Sequence, residues 1–554
     1  MHRKIYLQLI LSICAGALWA QDLANLEASD LLTLDHSGSL SLSSRFYDVS
    51  GINPRSTNFW ALSGRYTLTA GGFSFPISFS LRESGLNTGI SHPFNRFGIS
   101  PYYKWAKLHL GHRNISFSPY TLAGKTINGV GLELTPGKFR FSAIYGKMRN
   151  YQINHLPDDQ TILLDLHQRL ALGAKIGYGT AKNHFDLMFF KGVDQNTNVA
   201  IESKDPNDNL VIGAKLHLTL LKKIVLESNF ALSGFTENRA SFDVTLDPNL
   251  QQVESLVDLN ASSRVNFAGD ARLRYRIKQF NLGVQYRRID PLFQSLGTMY
   301  FQTDIEHLKF DIGTTLFRQK VNFQGSMGIE KNNLRNKKAI ANDRLIMSAN
   351  LSFSPNEKIS SILSFSNYQQ NSAPTFDLIN DTFRLTTVSQ TFFLNTQYHL
   401  KVGSLVSHSV NISLHRNTIS DQSPVDNLGS DIATQGAHLR YKLGLKATGL
   451  TISPGIRYSS YDLPVENRAR YGITLAIQKP WLQNKLHTSI NGSYQYSDVN
   501  SLRNGDFVSG SINIRYAVMK KTSLNLRLYH TQRTLVINPS FREWRGSIGL
   551  NTGF

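Results

Sequence analysis

"WALSGRYTLTAGGFSFPISFSLR", Trp60–Arg82, is the stretch that decides the fold. Trp60, Leu62, Gly64, Tyr66 and Leu68 alternate with Ala61, Ser63, Arg65 and Thr67. After Gly71-Gly72, Phe73, Phe75, Ile77, Phe79 and Leu81 alternate with Ser74, Pro76, Ser78, Ser80 and Arg82. Side chains of an extended strand point to opposite faces with period two. A glycine pair between two such runs is the chemistry of a two-residue hairpin turn. Each run therefore has one apolar face and one polar face.

The same unit repeats along the whole chain. Twelve tight turns fall near Gly71, Ala106, Pro136, Thr180, Leu221, Lys278, Gln319, Asn356, Gly403, Thr448, Leu482 and Met519. A strand around Ser39–Phe46 precedes the hairpins, and a strand over Trp544–Phe554 follows them. That predicts about 26 antiparallel strands of roughly ten residues, long enough to cross a bilayer when tilted. Long polar connections such as 150–167, 194–209, 237–262 and 418–432 alternate with the tight turns. Outer-membrane barrels have this asymmetry, with short periplasmic turns and long extracellular loops. Trp60, Trp105, Tyr145, Tyr275, Tyr286, Tyr458 and Trp544 take apolar-face positions, several near strand ends where aromatic girdles form. A secreted soluble β-protein would not keep one apolar face over the entire chain. The expected fold is an all-β transmembrane antiparallel barrel over residues 37–554.

The amino terminus sets the compartment. His2, Arg3 and Lys4 precede an apolar run from Ile5 to Ala17, too short to span a bilayer, and Leu18-Trp19-Ala20 offers a cleavage site. Residues 1–20 read as a secretory signal peptide and 21–36 as a short periplasmic segment. Cys14, the one cysteine, suits a lipoprotein poorly because bulky Ile13 precedes it. Its loss with the signal would exclude disulfides, cysteine zinc sites and thiol catalysis.

The last strand ends on Phe554, with Trp544, Ile548 and Leu550 on one face. It resembles the carboxy-terminal signal of bacterial outer-membrane proteins, which the barrel-assembly machinery reads. "HRNISFSPYTLAG" (His112–Gly124), "LTPGKFRFSAIYGKM" (Leu134–Met148) and "DPLFQSLGTMYF" (Asp290–Phe301) resemble a group of outer-membrane β-barrel proteins from Bacteroidota. The resemblance implies a compartment and a fold and adds no mechanism.

Chemistry is sparse. No G-x-S-x-G, H-E-x-x-H or phosphate-binding loop occurs, and the 16 histidines have no metal-ligand spacing. No catalytic, cofactor or metal site is expected. The formal charge of +20 is large for an exported protein that meets no nucleic acid. Its placement explains it. Arg272, Arg274, Arg276, Arg287, Arg440, Lys442, Arg457, Arg515 and Arg527 lie on the polar face. A charge on the lipid side costs about 2–4 kcal/mol at the midplane, so these residues should face a watery lumen. Acidic residues concentrate in the long loops, among them Asp158, Asp159, Glu202, Asp243, Asp377 and Asp426. The expectation is a channel or transporter with a basic lumen favouring anionic solutes, partly plugged by acidic extracellular loops folding onto the basic wall. The alternative is a non-transporting barrel that scaffolds an outer-membrane assembly or secretion complex. A hydrolase is the weakest reading. The expected partners are outer-membrane lipid and the assembly machinery, with other outer-membrane proteins as further candidates.

Overall fold

A computed structural model describes residues 34–53, 58–84, 95–149, 152–155, 161–165, 167–195, 205–242, 259–375, 384–403, 405–423, 431–536 and 539–554. The expected signal peptide lies outside the described residues. The first strand, Leu34–Ser50, starts three residues earlier than the expected barrel boundary. Consecutive strands pair antiparallel from there to Phe541–Gly553, which pairs back onto Leu34–Ser50 over Ser39↔Gly553 to Ser50↔Arg542. Arg96–Ile99 and Tyr102–Tyr103 both pair between Phe73–Ser84 and Ala106–Arg113, so they form one interrupted strand. The result is a closed barrel of 26 strands. A separate hairpin, Gln152–His155 with Thr161–Asp165, sits in a long connection.

Every expected tight turn is where the alternation breaks. Several use the left-handed region without glycine, at Leu221 and Lys222, Lys278, Phe317 to Gln319, and Leu482 to Asn484. Closure removes both sheet edges and satisfies the backbone hydrogen bonds that lipid cannot.

Leu42, Val130, Tyr145, Ile212, Phe310 and Ile473 are among the exposed apolar residues of the outer face. Near the long-loop ends, Tyr458, Tyr471 and Tyr496 stack in a row at 5.1 Å spacing. Tyr286 and Tyr494 direct their hydroxyls to Glu306 (2.6 Å) and Asp506 (2.9 Å). Rings with an apolar body and a polar tip mark the membrane boundary.

The closure is built from rings set over glycines. Space for a Cβ on Gly38 is taken by the Phe554 ring, on Gly546 by Phe46, and on Gly64 by Phe79. Phe554 exchanges both backbone hydrogen bonds with Gly38 at 3.1 Å, and its ring lies 5.9 Å from Tyr66. A ring covering a bare Cα recovers packing that glycine lacks.

Candidate functional site: a lumen of two halves

The inner wall is not uniform. Between Ala106 and Leu316 it carries small and apolar residues at alternate positions, with Ile144, Ala171, Met188, Phe190, Val211, Ala231, Phe235 and Ala268 all buried. The middle of strand His184–Gln195, Leu187–Phe190, is apolar on both faces, as expected where both faces are covered. Two connections at the long-loop end cover it from inside. One follows Ala106–Arg113 and brings Ile115, Phe117, Tyr120 and Leu122 onto the wall; the other follows Phe280–Ile289 and brings Phe293 and Leu296. Leu122, Phe190 and Val211 have no solvent exposure. Tyr120 meets Phe293 and Phe301 edge-on, at 6.3 and 6.0 Å.

Wall glycines make the room. A Cβ on Gly213 would lie 2.5 Å from Thr121 Cγ2, and one on Gly173 would lie 3.1 Å from Leu122 and Phe117. Polar locks fix the two loops to each other and to the wall. Ser295 Oγ donates to Thr121 O (2.8 Å), and Ala123 N–H donates to Gly297 O (3.0 Å). Asn209, fully buried, donates to Ser233 Oγ and Gly234 O and accepts from the Leu296 N–H at 2.9 Å. Burial, and then the neighbouring Asp270 carboxylate, push the Tyr120 phenol up from its ordinary value.

These seated loops fall in two of the three stretches quoted for their family resemblance, His112–Gly124 and Asp290–Phe301, and their seated side chains are mostly apolar. Acidic loops on the basic wall were the expectation. Asp158, Asp159, Glu202, Asp243, Asp377 and Asp426 lie outside the described residues. In the sector from Lys107 to Arg344 cations are met both by carboxylates of the connections, with Glu237 on Arg264, Asp290 on Arg288 and Arg335, and Asp304 on Lys338, and by carboxylates of the strands. Arg140 holds buried Asp186 at 2.9 and 3.2 Å, and Arg169 holds Asp194 at 2.7 and 2.8 Å. Arg272 meets Asp311 (3.0 Å), Arg274 meets Glu227 (2.5 Å) and Arg344 meets Glu330 (2.8 Å). Arg276 donates to Asn281 Oδ1 (3.1 Å), and Arg287 stands directly across from Asp270. The repulsion that Arg272, Arg274, Arg276 and Arg287 would otherwise exert on one another is therefore offset within the wall. The cause is cross-strand register, which sets Arg272, Arg274 and Arg287 beside an acid one or two strands away and Arg276 beside an amide.

The other half of the wall, from Ile340 to the closure, differs. Its inner face carries hydroxyls and amides, including Asn395, Asn411, Ser413, Thr474, Asn491, Ser493, Ser509 and Ser511. These bond among themselves, as in Asn395 to Ser413 (2.6 Å) and Ser493 with Ser509 (2.7 Å). Arg457, Arg440, Arg527 and Arg515 descend through it from the long-loop end toward the short turns, with Lys442 beside them. Among the described residues, no carboxylate lies within 4 Å of any of these five cations. Arg515 also borders two cavities. One, about 560 Å³, is shared with Asn513, Asn525 and Arg527. The other, about 1020 Å³, is shared with Arg65, Lys107, Arg113 and Lys521. Among the described residues, one half of the wall is thus packed and charge-paired, and the other carries hydroxyls, amides and these five cations.

Trp544, Ile548 and Leu550 are exposed on the outer face of the last strand, as expected, and Phe554 completes the closure. Among the described residues no group of His, Cys, Asp or Glu is arranged to hold a metal.

The chain is thus a closed transmembrane barrel of the outer-membrane class. No family model matches it, and no curated protein does. Among solved structures it is similar to the translocation pore of the P pilus usher PapC, at 12% identity and a TM-score of 0.40, over 94% of this chain and 99% of that one. It is similar to the ferric enterobactin receptor PfeA in complex with BCV-L6, at 11% identity and 0.41, over 94% and 81%. It is also similar to OpdK of Pseudomonas aeruginosa with vanillate, at 9% and 0.32, over 94% and 99%. Likeness at this level assigns no solute or partner to the chain.

Proposed function

We propose that this protein is an outer-membrane channel or transporter whose C-terminal half-wall guides anionic solutes, while the two seated loops fill the other half of the lumen. One observation carries this reading. Among the described residues, Arg440, Arg457, Arg515 and Arg527 share a polar wall with no carboxylate in contact, whereas Arg140, Arg272, Arg274 and Arg344 are each paired. Unpaired cations on a wetted wall set a positive potential that concentrates anions and excludes cations. Hydroxyls and amides between them offer replacement partners for the solute's lost water. Substituting Arg440, Arg457 and Arg527 by Glu should move the reversal potential in a salt gradient toward cation preference, with normal barrel yield. Unchanged anion preference in that variant would remove the reading.

The address that goes with this function is the outer membrane of a Gram-negative bacterium, reached with a signal removed after about Ala20. Insertion by the barrel-assembly machinery through the Phe554 strand belongs to the same proposal. A second reading is favoured by the locked loops. A lumen half filled by buried side chains suits a scaffold that transports nothing. Purification from the native membrane separates the two, since stoichiometric partner proteins with no conductance would select the scaffold.

A further inference from the structure

The larger cavity bordered by Arg515, about 1020 Å³, lies across the seam where the barrel closes. Register sets out its floor. Arg65 stands opposite Ser39, Ser39 stands opposite Gly553, and the Gly553 N–H donates to Lys521 O at 2.8 Å. Arg65 and Lys521 therefore end one row across four strands, roughly 14 Å apart at Cα by strand spacing. The next row, away from the short turns, runs Ser63, Ser41, Asn551 and Ser523. Arg515 stands beyond that row, opposite Asn525. Arg113 approaches from the other side. A Cβ on Gly98 would lie 2.8 Å from its Nε, so the bare glycine admits the guanidinium, which donates to Ser78 Oγ at 2.7 Å.

What sets this cavity apart is what its lining lacks. Among the described residues no Asp or Glu borders it. Lys107, which also borders it, is held by Glu133 at 3.4 Å. Among the described residues the side chains of Arg65, Arg515 and Lys521 have no hydrogen-bond or ion-pair partner, and Arg113 has no carboxylate within 4 Å. Nor does a side-chain hydrogen bond engage Ser39, Ser41, Ser63 or Asn551 among those residues. Elsewhere on this half of the wall hydroxyls and amides satisfy one another, as Asn395 and Ser413 do. Four like charges round one cavity repel until an anion joins them. Two phosphate groups carry about −3 to −4 at neutral pH, which matches them. An arginine fork takes two phosphate oxygens, and a lysine meets them as a point charge. Serine hydroxyls and an asparagine amide both donate and accept, as the hydroxyls of a sugar do. The volume suits a small solute rather than a bare ion.

We propose that this seam cavity binds polyhydroxylated solutes that carry two phosphate groups, the class of a sugar bisphosphate. The cations take the phosphates, and the Ser63–Ser41–Asn551 row takes the hydroxyls between them. The proposal deepens the anion-channel reading, on which it rests for access to the lumen, by naming the solute class. Binding is measured without current, so the two can fail separately.

The test is isothermal titration of the detergent-folded barrel with fructose 1,6-bisphosphate, pyrophosphate and fructose. The bisphosphate should bind saturably and at least tenfold tighter than pyrophosphate, and fructose should not bind. Arg65→Gln with Lys521→Gln should weaken bisphosphate binding at least tenfold. Ser41→Ala with Ser63→Ala should weaken it several-fold while leaving pyrophosphate affinity unchanged. Lys278→Gln with Lys320→Gln removes the same charge at short turns away from the cavity and should change neither affinity. Retained heat-modifiable mobility on gels confirms that each variant is folded. No saturable binding of the bisphosphate, equally tight pyrophosphate, or unchanged bisphosphate affinity in either of the first two variants overturns the proposal. Binding without conductance keeps this site and removes the channel. Anion-selective conductance without binding keeps the channel and removes this site.

Discussion

Asn209 shows what a single side chain does here. It sits fully buried on the inner wall and bonds both to the next strand and to the Leu296 amide of a seated loop. Asn209→Ala would strand buried donors and acceptors, at a cost of about 2–3 kcal/mol. Thermal unfolding followed by loss of heat-modifiable mobility should show a lower Tm, and an unchanged Tm would mean that this loop is not held by the wall. The paired arginines behave differently from the unpaired ones. Arg272→Glu would face Asp311 and lower barrel yield, whereas Arg440→Glu stands opposite Asn411, with no carboxylate in contact among the described residues, and should leave yield intact. The sequence carried part of this. That the arginines share the polar face of their strands was legible from alternation alone. Their pairing was not, because register between strands depends on closure and shear that no single strand encodes. The apolar inner face was missed as well. Its signal was present in Leu187–Phe190, apolar at four consecutive positions, and in Gly173, Gly192 and Gly213, where the polar face shrinks to admit a loop.

Strands and turns were the most legible scale. Period-two alternation is strict wherever one side meets lipid and the other meets water, so each strand announces itself. Turn positions followed from breaks in alternation more than from turn chemistry, since Lys278 and the Leu482 turn lack glycine. The long loops stayed illegible. A polar loop reads the same whether it extends outward or folds in, and only the apolar content of Ile115–Leu122 and Phe293–Leu296 distinguishes the seated pair. Topology gives a direct check. Tags within 237–262 or 418–432 should be reachable from outside intact cells, and tags at Lys278 or Lys401 should not. Labelling of the Lys turns would reverse the orientation. The last strand gives another. Deleting Phe554 removes the ring over Gly38 and the paired hydrogen bonds that end the closure. Outer-membrane levels of the truncated protein should fall and periplasmic degradation should rise; normal levels would contradict this role for the terminal residue.

Over the whole molecule, two kinds of wall share one barrel. A barrel of 26 strands is wider than porins that already conduct, so part of its lumen must be filled if it is not to leak. Apolar loops pack on a glycine-lined wall in one half, and in the other Arg440, Arg457, Arg515 and Arg527 stand among hydroxyls and amides. Removing residues 115–123 should therefore raise conductance without reversing ion preference, because the filled half contributes volume and the other half contributes charge. The division itself is tested most directly by reversal potential, measured across a planar bilayer in a potassium chloride gradient at low salt, where screening is weakest. The native barrel should prefer chloride, Arg440→Glu with Arg457→Glu and Arg527→Glu should prefer potassium, and the same change at Arg272 and Arg274 should do far less. Equal effects from the two sets, or no preference in the native barrel, would contradict the account.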